Sequence, residues 1–258
     1  VEEARDLIIK NSFHLPSLEV SVSEALHCVL SEDIISPMAY PPFDQSAMDG
    51  FAIRFDDLKG GASLDIVGEA AAGVPFGEKL QVGQAIRIFT GAKIPEGADT
   101  VAMQEKTSVE KGQLVIRDNA LEKESNVRNL GSQIMKGSVI LKKGQVVNPG
   151  GVGLLASLGI TRVMVASTPR ITLIVTGNEL VKPGDALKEG QVYESNSYCL
   201  KAALESVNCG SVNIISVGDD EKQTMEKLRS AFGKSDIVLV TGGISVGKYD
   251  FVGNALLQ

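Results

Sequence analysis

The chain contains 258 residues, 43% of them hydrophobic and 22% charged, an ordinary balance for a folded globular protein of two or three domains. Its net charge is −7, and no basic run offsets this excess, which excludes a broad footprint for nucleic acid. The three cysteines lack CxxC spacing, so a zinc site is not expected. No apolar run approaches about 18 residues, and the first residues lack the pattern of a signal peptide. We therefore expect a cytoplasmic protein that binds neither nucleic acid nor a membrane.

The first 43 residues show helical patterns. Val1–Asn11 places apolar side chains on one helical face. Ser21 and Glu24 form a capping-box pattern, which predicts a second, short helix that runs through Leu30. Three prolines between residues 37 and 42 then predict an extended crossing into the next segment.

Residues 44–132 contain short β-like runs separated by turns with glycine or proline. Four runs predict strands: Leu64–Val67, Ala85–Phe89, Val101–Thr107 and Leu114–Ile116. Glu110–Gly112 lies between the last two runs and predicts a hairpin loop. We therefore expect an all-β module, either a small barrel or a sandwich.

A discontinuous linker domain is predicted around this module. Gly131–Val147 has further short β-like runs, and Asn148 followed by Pro149 predicts the start of a helix that ends near Gly159. Because a helix this close to the β-module can rejoin the N-terminal helices, we expect residues 1–43 and 133–166 to form one domain. Residues 44–132 would then be an inserted β-domain.

Residues 167–258 alternate between strands and helices. The predicted order is strand Ile171–Val175, helix Ser197–Val207, strand Val212–Val217, helix Glu221–Phe232 and strand Ile237–Val240. Strands that alternate with helices of this length indicate βαβ units and a parallel sheet. The predicted fold class is therefore α/β multidomain. Three strands are about half of a usual doubly wound sheet, so this α/β domain is expected to be incomplete.

The loops that follow these strands carry the polar residues expected of a ligand site. Glu179, Asp219 and Asp250 each follow a different strand, and parallel strands bring their carboxyl ends to one sheet edge. Carboxylates beside a phosphate-sized glycine loop are suitable ligands for an Mg²⁺ ion that also binds phosphate. We therefore predict these three acids as metal ligands. The predicted substrate-binding residues of the same loops are Thr176, Gly177, Thr241, Gly242, Gly243 and Ser245.

Each of these residues also has a purely structural interpretation. Glu179 can begin a turn, Asp219 or Asp220 can cap the helix that follows, and the paired glycines can form a tight turn. Polar loops at three successive strand ends favour a shared site over three coincidences. The GxGxxG and P-loop patterns are absent from the sequence, which disfavours ordinary dinucleotide and nucleoside triphosphate folds.

Two more glycine-containing polar loops lie in or near the β-module. The first is Asp44–Gly50 and the second is Phe89–Gly97. By pattern alone, the first is equally an Asp-Gly turn and the second a plain connection. The two histidines suggest no Ser/His/Asp or Cys/His arrangement.

Five segments together resemble the MoeA family, the molybdopterin molybdotransferases of molybdenum-cofactor synthesis, whose animal relative is the C-terminal domain of gephyrin. In chain order they are PPFDQSAMDGFAI, FTGAKIPEGADTVAMQE, TGNEL, GQVYESNS and TGGISVGKYD. The resemblance covers nearly the whole chain. It implies an elongated homodimer with a linker domain, a β-domain over residues 44–132, and an α/β domain from residue 167 onward that is similar to the MogA adenylyltransferases.

The resemblance also implies a reaction. The family takes adenylylated molybdopterin and molybdate, hydrolyses the adenylate with Mg²⁺ present, and leaves molybdenum on the dithiolene. Molybdate is then a substrate and Mg²⁺ the cofactor, and a MogA-type adenylyltransferase is an implied partner.

The resemblance assigns roles to particular positions. The family's catalytic positions fall on Asp49 of SAMDG, Thr90 of TGAKIPEG, Glu179 of TGNEL, Asp219 after the second strand and Asp250 of TGGISVGKYD. Ser46 of the SAMDG motif is assigned to substrate binding. The chain departs from the family at Asn178, where Asp is usual, and at Gln133, where an acid is usual.

Three functions are open at this point. The first is the molybdotransferase. The second is a gephyrin-like scaffold dimer that holds a partner peptide, which the intact set of acids disfavours. The third is a MogA-type adenylyltransferase, which shares the TGG loop but lacks the β-module. The family's Lys-Pro-Gly-Lys-Pro and Gly-Leu-Pro-Gly-Asn-Pro segments would fall beyond residue 258, so a C-terminally truncated and catalytically impaired chain is expected.

Overall fold

A computed structural model of the protein describes residues 1–59, 63–243 and 252–253, and the chain divides into two compact units. One unit, here the α/β unit, comprises Val1–Glu32, Lys143–Leu155 and the described residues from Thr161 onward. The other, here the β unit, comprises Asp33–Lys142 and Ala156–Ile160. The helices are α1 (Glu2–Asn11), α2 (Pro149–Ser157), α3 (Asn196–Ser206) and α4 (Glu221–Phe232). The strands are β1 (Ser17–Ser21), β2 (Ile34–Ile35), β3 (Gln45–Ser46), β4 (Gly50–Ile53), β5 (Leu64–Ala70), β6 (Gln84–Ile88), β7 (Thr100–Met103), β8 (Thr107–Glu110), β9 (Gln113–Ile116), β10 (Val127–Arg128), β11 (Val139–Leu141), β12 (Arg162–Ala166), β13 (Ile171–Thr176), β14 (Leu180–Val181), β15 (Val192–Tyr193), β16 (Val212–Val217) and β17 (Ile237–Thr241).

The β unit is built on one six-stranded mixed sheet with the order β7-β4-β6-β5-β9-β8. Strands β5 and β6 are parallel, and the other neighbours are antiparallel. Side chains from the central strands, among them Ile53, Leu64 and Ile86, are fully buried. The predicted all-β module is therefore confirmed as a sheet with its own hydrophobic core.

The predicted hairpin loop of the β unit is also confirmed. Strands β8 and β9 pair from Thr107 to Glu110 with a two-residue connection of Lys111 and Gly112. Both connecting residues have a positive φ, 52° and 87°. Positive φ at both positions defines a type I′ turn, whose twist matches that of the paired strands, and glycine is favoured there.

The α/β unit contains a three-stranded parallel sheet with β13 at its centre, in the order β16-β13-β17. All six residues of β13 are buried. Helix α4 packs Leu228 and Ala231 against Ile174 and Val217 of the sheet. The predicted βαβ elements are confirmed, with each boundary within one residue of the prediction.

The strand order of this sheet creates a switch point. The chain leaves β13 toward β16 on one side and then crosses to β17 on the other side. In an open α/β sheet with this order, the crevice between the first and third strands is the usual place for a phosphorylated ligand. The carboxyl ends of β13 and β17 therefore mark where a site belongs.

The predicted helix from Ser21 through Leu30 is wrong. The cap pattern forms, since the Glu24 carboxylate accepts hydrogen bonds from the Ser21 hydroxyl and N–H at 2.6 and 3.4 Å, but only a short 3₁₀ turn follows it. His27 then has a φ of 64°, and its N–H donates to the Val147 carbonyl at 2.8 Å. Pairing with a segment more than 100 residues away replaces the local helix, and the cap signal alone does not reveal it.

The other helical predictions are confirmed. Helix α1 forms over Glu2–Asn11, and Asn148 caps α2 by accepting the N–H of Gly151 at 2.8 Å. Gly159, with a φ of 72°, follows the end of α2. Across the described ranges, every helix is too short or too polar to span a bilayer.

Candidate functional site

The switch point of the parallel sheet is lined by bare backbone. Thr176 ends β13, and Gly242 and Gly243 follow β17 with φ values of 89° and 65°. A Cβ atom on Gly242 would lie 2.4 Å from the Thr176 carbonyl oxygen, and one on Gly243 would lie 3.0 Å from the Thr176 hydroxyl. Both conformation and space therefore require glycine at these two positions, because Thr176 occupies the space beside them.

Asn196 ties this glycine loop to helix α3. Its side-chain amide donates to the Thr241 hydroxyl at 2.9 Å, across 45 residues of sequence. Thr241 also meets Thr176, whose hydroxyl lies 3.5 Å from the Thr241 carbonyl oxygen. The sequence pattern did not single out Asn196, although it lies in the GQVYESNS segment directly before the predicted helix Ser197–Val207.

Asp219 is held in the loop after β16 by reciprocal bonds with Asn178. The Asn178 N–H donates to the Asp219 carboxylate at 3.3 Å, and the Asp219 N–H donates to the Asn178 side-chain oxygen at 3.1 Å. The helix cap is instead Asp220, whose carboxylate accepts the Gln223 N–H at 2.8 Å. Asp219 is therefore not the helix cap, and its exposed carboxylate is available for a ligand.

The Glu179 carboxylate folds back over Gly177. A Cβ atom on Gly177, whose φ is 145°, would lie 2.7 and 2.9 Å from the two Glu179 oxygens. The Glu179 carbonyl accepts the Val192 N–H at 2.9 Å, at the start of the short parallel pair of β14 and β15. The loop is thus fixed by pairing beyond a simple turn, and it presents a carboxylate beside bare backbone.

The described residues at this sheet edge could supply only some of the ligands of a magnesium ion. Glu179 and Asp219 supply carboxylate oxygens from adjacent loops. Asp250 and Ser245, the remaining predicted members, lie outside the described residues. Within those residues, no group of three or more His, Cys, Asp or Glu side chains forms a metal cluster. Mg²⁺ typically takes one or two protein carboxylates and completes its shell with water and substrate phosphate, so the two acids fit such an ion.

The β unit carries a separate polar centre at Asp49 and Thr90. The Asp49 carboxylate accepts both the Thr90 N–H and the Thr90 hydroxyl at 2.8 Å. These two hydrogen bonds, with a smaller contribution from the charge of Arg87, lower the pKa of the Asp49 carboxyl. Gly50 begins β4, and a Cβ atom on it would lie 2.0 Å from the Ala102 carbonyl oxygen, so the pairing of this strand requires glycine here.

Ser46 supports the loops on either side of this centre. It is fully buried, and its hydroxyl donates to the Met48 carbonyl at 2.6 Å. Its own carbonyl accepts the N–H of Gly91, next to Thr90, at 2.8 Å. Ser46 therefore fixes the spacing of Asp49 and Thr90, while its predicted contact with a substrate stays a prediction.

Arg87 is a charged neighbour of Asp49 that the sequence pattern did not single out. Its guanidinium lies over the rings of Phe51 and Phe89, 5.1 and 5.5 Å from their centroids. It also donates to the Gln104 side-chain oxygen at 2.9 Å. Its Nε atom is buried and has no hydrogen-bond partner in the described part of the chain. Stacking on two rings holds the cation in place beside the carboxylate.

These two polar centres, one at the switch point of a parallel sheet and one on a mixed β-sheet, belong to a multidomain α/β fold. The sequence profile described as "MoeA N-terminal region (domain I and II)" matches residues 1–159. A second profile, "Probable molybdopterin binding domain", matches residues 172–258. The chain belongs to the MoeA family.

Named relatives agree with this assignment. The chain is 35% identical over 252 residues to a "Molybdopterin molybdenumtransferase" of Haemophilus influenzae, covering 97% of this chain and 62% of the relative. It is 34% identical over 257 residues to a protein of the same name from Staphylococcus aureus, covering 98% of this chain and 61% of the relative. The chain thus spans about three fifths of the length of these curated relatives.

Solved structures show the same fold. A "molybdopterin biosynthesis moeA protein" from Pyrococcus horikoshii OT3 superposes with a TM-score of 0.86 at 35% identity, covering 93% of this chain and 65% of that chain. A second structure of a Pyrococcus moeA protein gives a TM-score of 0.84 at 30% identity, covering 99% of this chain and 65% of that chain.

Proposed function

We propose that the protein acts as a molybdopterin molybdotransferase in molybdenum-cofactor biosynthesis. Its substrates would be adenylylated molybdopterin and molybdate, and its products the molybdenum cofactor and AMP. The observation that carries the proposal is the shared sheet edge: Gly242 and Gly243 pack against Thr176 there, and the loops of Glu179 and Asp219 follow the neighbouring strands β13 and β16. The names of the relatives that match nearly the whole chain support it.

The residues of the switch point would bind the diphosphate of the substrate. Gly242 and Gly243 would offer backbone N–H groups to phosphate oxygens, as at other α/β sheet edges. Glu179 and Asp219 would hold Mg²⁺, with Asp250 as a further ligand. Bound there, Mg²⁺ would offset the negative charge of the diphosphate. Asn178 would keep the Asp219 carboxylate oriented through the hydrogen bond it donates.

Asp49 would supply a further carboxylate to the reaction. Its two hydrogen bonds from Thr90 lower the pKa of the carboxyl and so favour its ionised form. An ionised carboxylate can orient a water molecule or accept a proton from it.

We also propose a three-domain arrangement: linker residues 1–43 and 133–166, a β-domain over 44–132, and an α/β domain over 167–258. Support for the discontinuous linker comes from β1, which pairs with β12, and from His27, which pairs with Val147. The proposal further includes a homodimer, a MogA-type enzyme as supplier of the adenylate, and a cytoplasmic location. The three cysteines are free thiols, which suits a reducing compartment.

The test is molybdate-dependent release of AMP from adenylylated molybdopterin by the purified protein with Mg²⁺. We expect Glu179→Gln to lower the rate by roughly 100-fold, because it removes a ligand charge without changing side-chain size. Glu189→Gln is the matched control, since Glu189 is an exposed carboxylate of the same unit with no hydrogen bond or ion pair among the described residues. Measurable AMP release at equal rates in both variants would contradict the proposal.

A further inference from the structure

Arg87 lies against two aromatic side chains of the six-stranded sheet. It pairs with Phe51 across strands β6 and β4, so the two side chains share one face of the sheet, and Phe89 is two residues further along the chain. The guanidinium carbon lies 5.1 Å from the Phe51 ring centroid and 5.5 Å from that of Phe89. Phe51 is buried in a hydrophobic cluster of the β unit. The cation is therefore held against a packed wall.

The contacts of Arg87 all reach chain segments that carry the pair of Asp49 and Thr90. One aromatic ring belongs to the residue two positions after Asp49, and the other belongs to the residue directly before Thr90. The third contact is Gln104, whose side-chain oxygen accepts the Arg87 Nη2–H at 2.9 Å. The N–H of Gln104 in turn donates to the Asp49 carbonyl at 3.1 Å. Arg87 thus joins the start of β4, the end of β6 and the end of β7.

Ion pairing does not explain the place of Arg87. Glu69 lies opposite it in the register of β5 and β6, and Glu105 accepts a hydrogen bond from the Gln104 side-chain amide at 3.2 Å. Within the described ranges, neither carboxylate forms an ion pair with Arg87, whose side chain donates to an uncharged amide. The role of Arg87 therefore lies in the segments that it joins.

Packing alone does not explain an arginine at this position either. The Arg87 Nε atom is buried and has no hydrogen-bond partner among the residues that the structure describes. An unpaired buried donor lowers stability, whereas an unbranched apolar side chain of similar length would fill the space between the rings without that penalty. What the arginine adds is a cation and a planar group that also donates to Gln104.

We propose that Arg87 is a positioning residue, which holds the segment of Asp49 against the segment of Thr90 through the two rings and Gln104. It would act through Asp49 and would not itself touch the reacting atoms. The inference rests on the proposed function, because it matters for the reaction only if the Asp49 carboxylate takes part. Without Arg87, the two hydrogen bonds between Thr90 and Asp49 should form for a smaller fraction of the time.

The first test is amide hydrogen exchange, measured by NMR on the purified protein. We expect the Thr90 N–H to exchange about 10-fold faster in Arg87→Met, while the amides of the β8–β9 hairpin keep their rates. Arg87→Lys keeps a cation over the rings and should stay within about threefold of the unsubstituted protein. Arg117→Met is the matched control, because Arg117 is an exposed arginine of the same unit that pairs with Glu110 at 2.7 Å. It should leave the Thr90 rate unchanged.

The second test is the titration of the Asp49 carboxyl, followed by carbon-13 NMR and assigned with Asp49→Asn. The hydrogen bonds from Thr90, and less strongly the charge of Arg87, lower the pKa of this carboxyl. In Arg87→Met both influences weaken, so the pKa of Asp49 should rise toward its ordinary value. In Arg87→Lys it should stay close to that of the unsubstituted protein.

Unchanged Thr90 exchange and an unchanged Asp49 titration in Arg87→Met overturn the inference. Equal acceleration of exchange across the whole β unit also overturns it, because Arg87 would then serve only the stability of the fold. If Arg87→Met does not fold, Arg87→Lys is compared with Arg87→Gln: slower Thr90 exchange in the lysine variant supports the inference, and equal exchange overturns it.

Neither NMR measurement requires turnover, so a failure of the inference is distinct from a failure of the proposed reaction. Where AMP release is measured, Arg87→Met should lower kcat by about 10-fold and change KM by less than twofold, because Arg87 acts on Asp49 and not on the bound substrate. A kcat equal to that of the unsubstituted protein overturns the role of Arg87 and leaves the proposed reaction intact.

Discussion

The Asp49 carboxylate and Thr90 are joined by two hydrogen bonds of 2.8 Å, one from the Thr90 N–H and one from its hydroxyl. The residues are 41 positions apart, so the tertiary fold of the β unit sets their distance. Both donors stabilise the ionised carboxylate and lower its pKa.

Removing the Thr90 hydroxyl should shift the pH dependence of the reaction. In Thr90→Val the backbone donor remains and the hydroxyl donor is lost, so the pKa of Asp49 rises toward its ordinary value. As the pH is lowered, AMP release by Thr90→Val should therefore begin to decline at a higher pH than in the unsubstituted protein. At neutral pH the rate of the variant should be about 10-fold below that of the unsubstituted protein, because one hydrogen bond to Asp49 is lost. Thr90→Ser keeps the donor and should restore the original profile. Superimposable pH–rate profiles for the three proteins would show that the hydroxyl has no part in tuning Asp49.

Closing the bare backbone at the switch point should destabilise the α/β unit. Gly242→Ala puts a side chain at a φ of 89° and 2.4 Å from the Thr176 carbonyl oxygen, so we expect a loss of roughly 1–3 kcal/mol. Gly184→Ala is the matched control, because Gly184 has a φ of 101° with no neighbouring atom within 4 Å of its Cβ position. Urea denaturation would measure both variants. Equal midpoints would mean that steric closure at Thr176 adds nothing to the backbone strain.

The ion pair at the opposite end of the sheet should make stability depend on acid pH. The Asp236 carboxylate accepts from the Arg170 guanidinium at 3.0 and 3.1 Å and from the Arg170 N–H at 2.8 Å. The guanidinium, followed by the backbone donor, lowers the pKa of Asp236 to about 2. A carboxyl whose pKa is lowered by folding stabilises the protein above its unfolded pKa of about 3.9, and that contribution is lost as the pH falls toward 2.

The variant Asp236→Asn should therefore be less stable than the unsubstituted protein at pH 7, with the difference shrinking below about pH 4. Urea midpoints at pH 7, 5 and 3 would measure this. Asp6→Asn serves as the control, because Asp6 lies on α1 and pairs only with the exposed Arg5 at 3.4 Å among the described residues. A stability gap for Asp236→Asn that stays constant from pH 7 to pH 3 would argue against the ion pair as its source.

Substitutions of the neighbouring residues Asp219 and Asp220 should have different effects, one on the rate of AMP release and the other on the free energy of unfolding. Asp220 caps α4, so Asp220→Ala should lower the free energy of unfolding by about 1 kcal/mol. Asp219→Ala should leave the helix cap intact and reduce AMP release by roughly 100-fold or more, because its carboxylate belongs to the proposed ligand set. Thermal melting and rate assays on both variants test the separation. If Asp220→Ala lowered the rate and Asp219→Ala lowered the stability, Asp219 would be the helix cap and Asp220 the ligand.

Local signals predicted much of the α/β unit correctly. The bounds of α4, Glu221–Phe232, follow from an acidic cap at Asp220 and an amphipathic repeat, both of which are readable within a short window. The buried strand β13 likewise follows from its mostly apolar run of β-branched residues, Ile171–Val175. Such elements are determined by neighbours in sequence.

Features made by distant partners could not be predicted in this way. The segment after Glu24 pairs with residues near Val147, and this pairing overrides a complete capping box. The reciprocal bonds of Asn178 and Asp219 join residues 41 positions apart, and the bond of Asn196 with Thr241 joins residues 45 apart. The acids themselves could be identified from the sequence, but the hydrogen bonds of Asn178 and Asn196 could be identified only from the folded structure.

The central position of β13 also sets the order in which the site can be assembled. Both strands that flank it are synthesised after it, and the contact of Thr176 with Thr241 spans 65 residues. During translation, Thr176 therefore cannot contact Thr241 until the chain beyond residue 243 has left the ribosome. Parallel pairing across such long separations is intrinsically slow. The phosphate-sized crevice is consequently among the last features of the α/β unit to form, and until then the apolar surface of β13 needs protection from association with other chains.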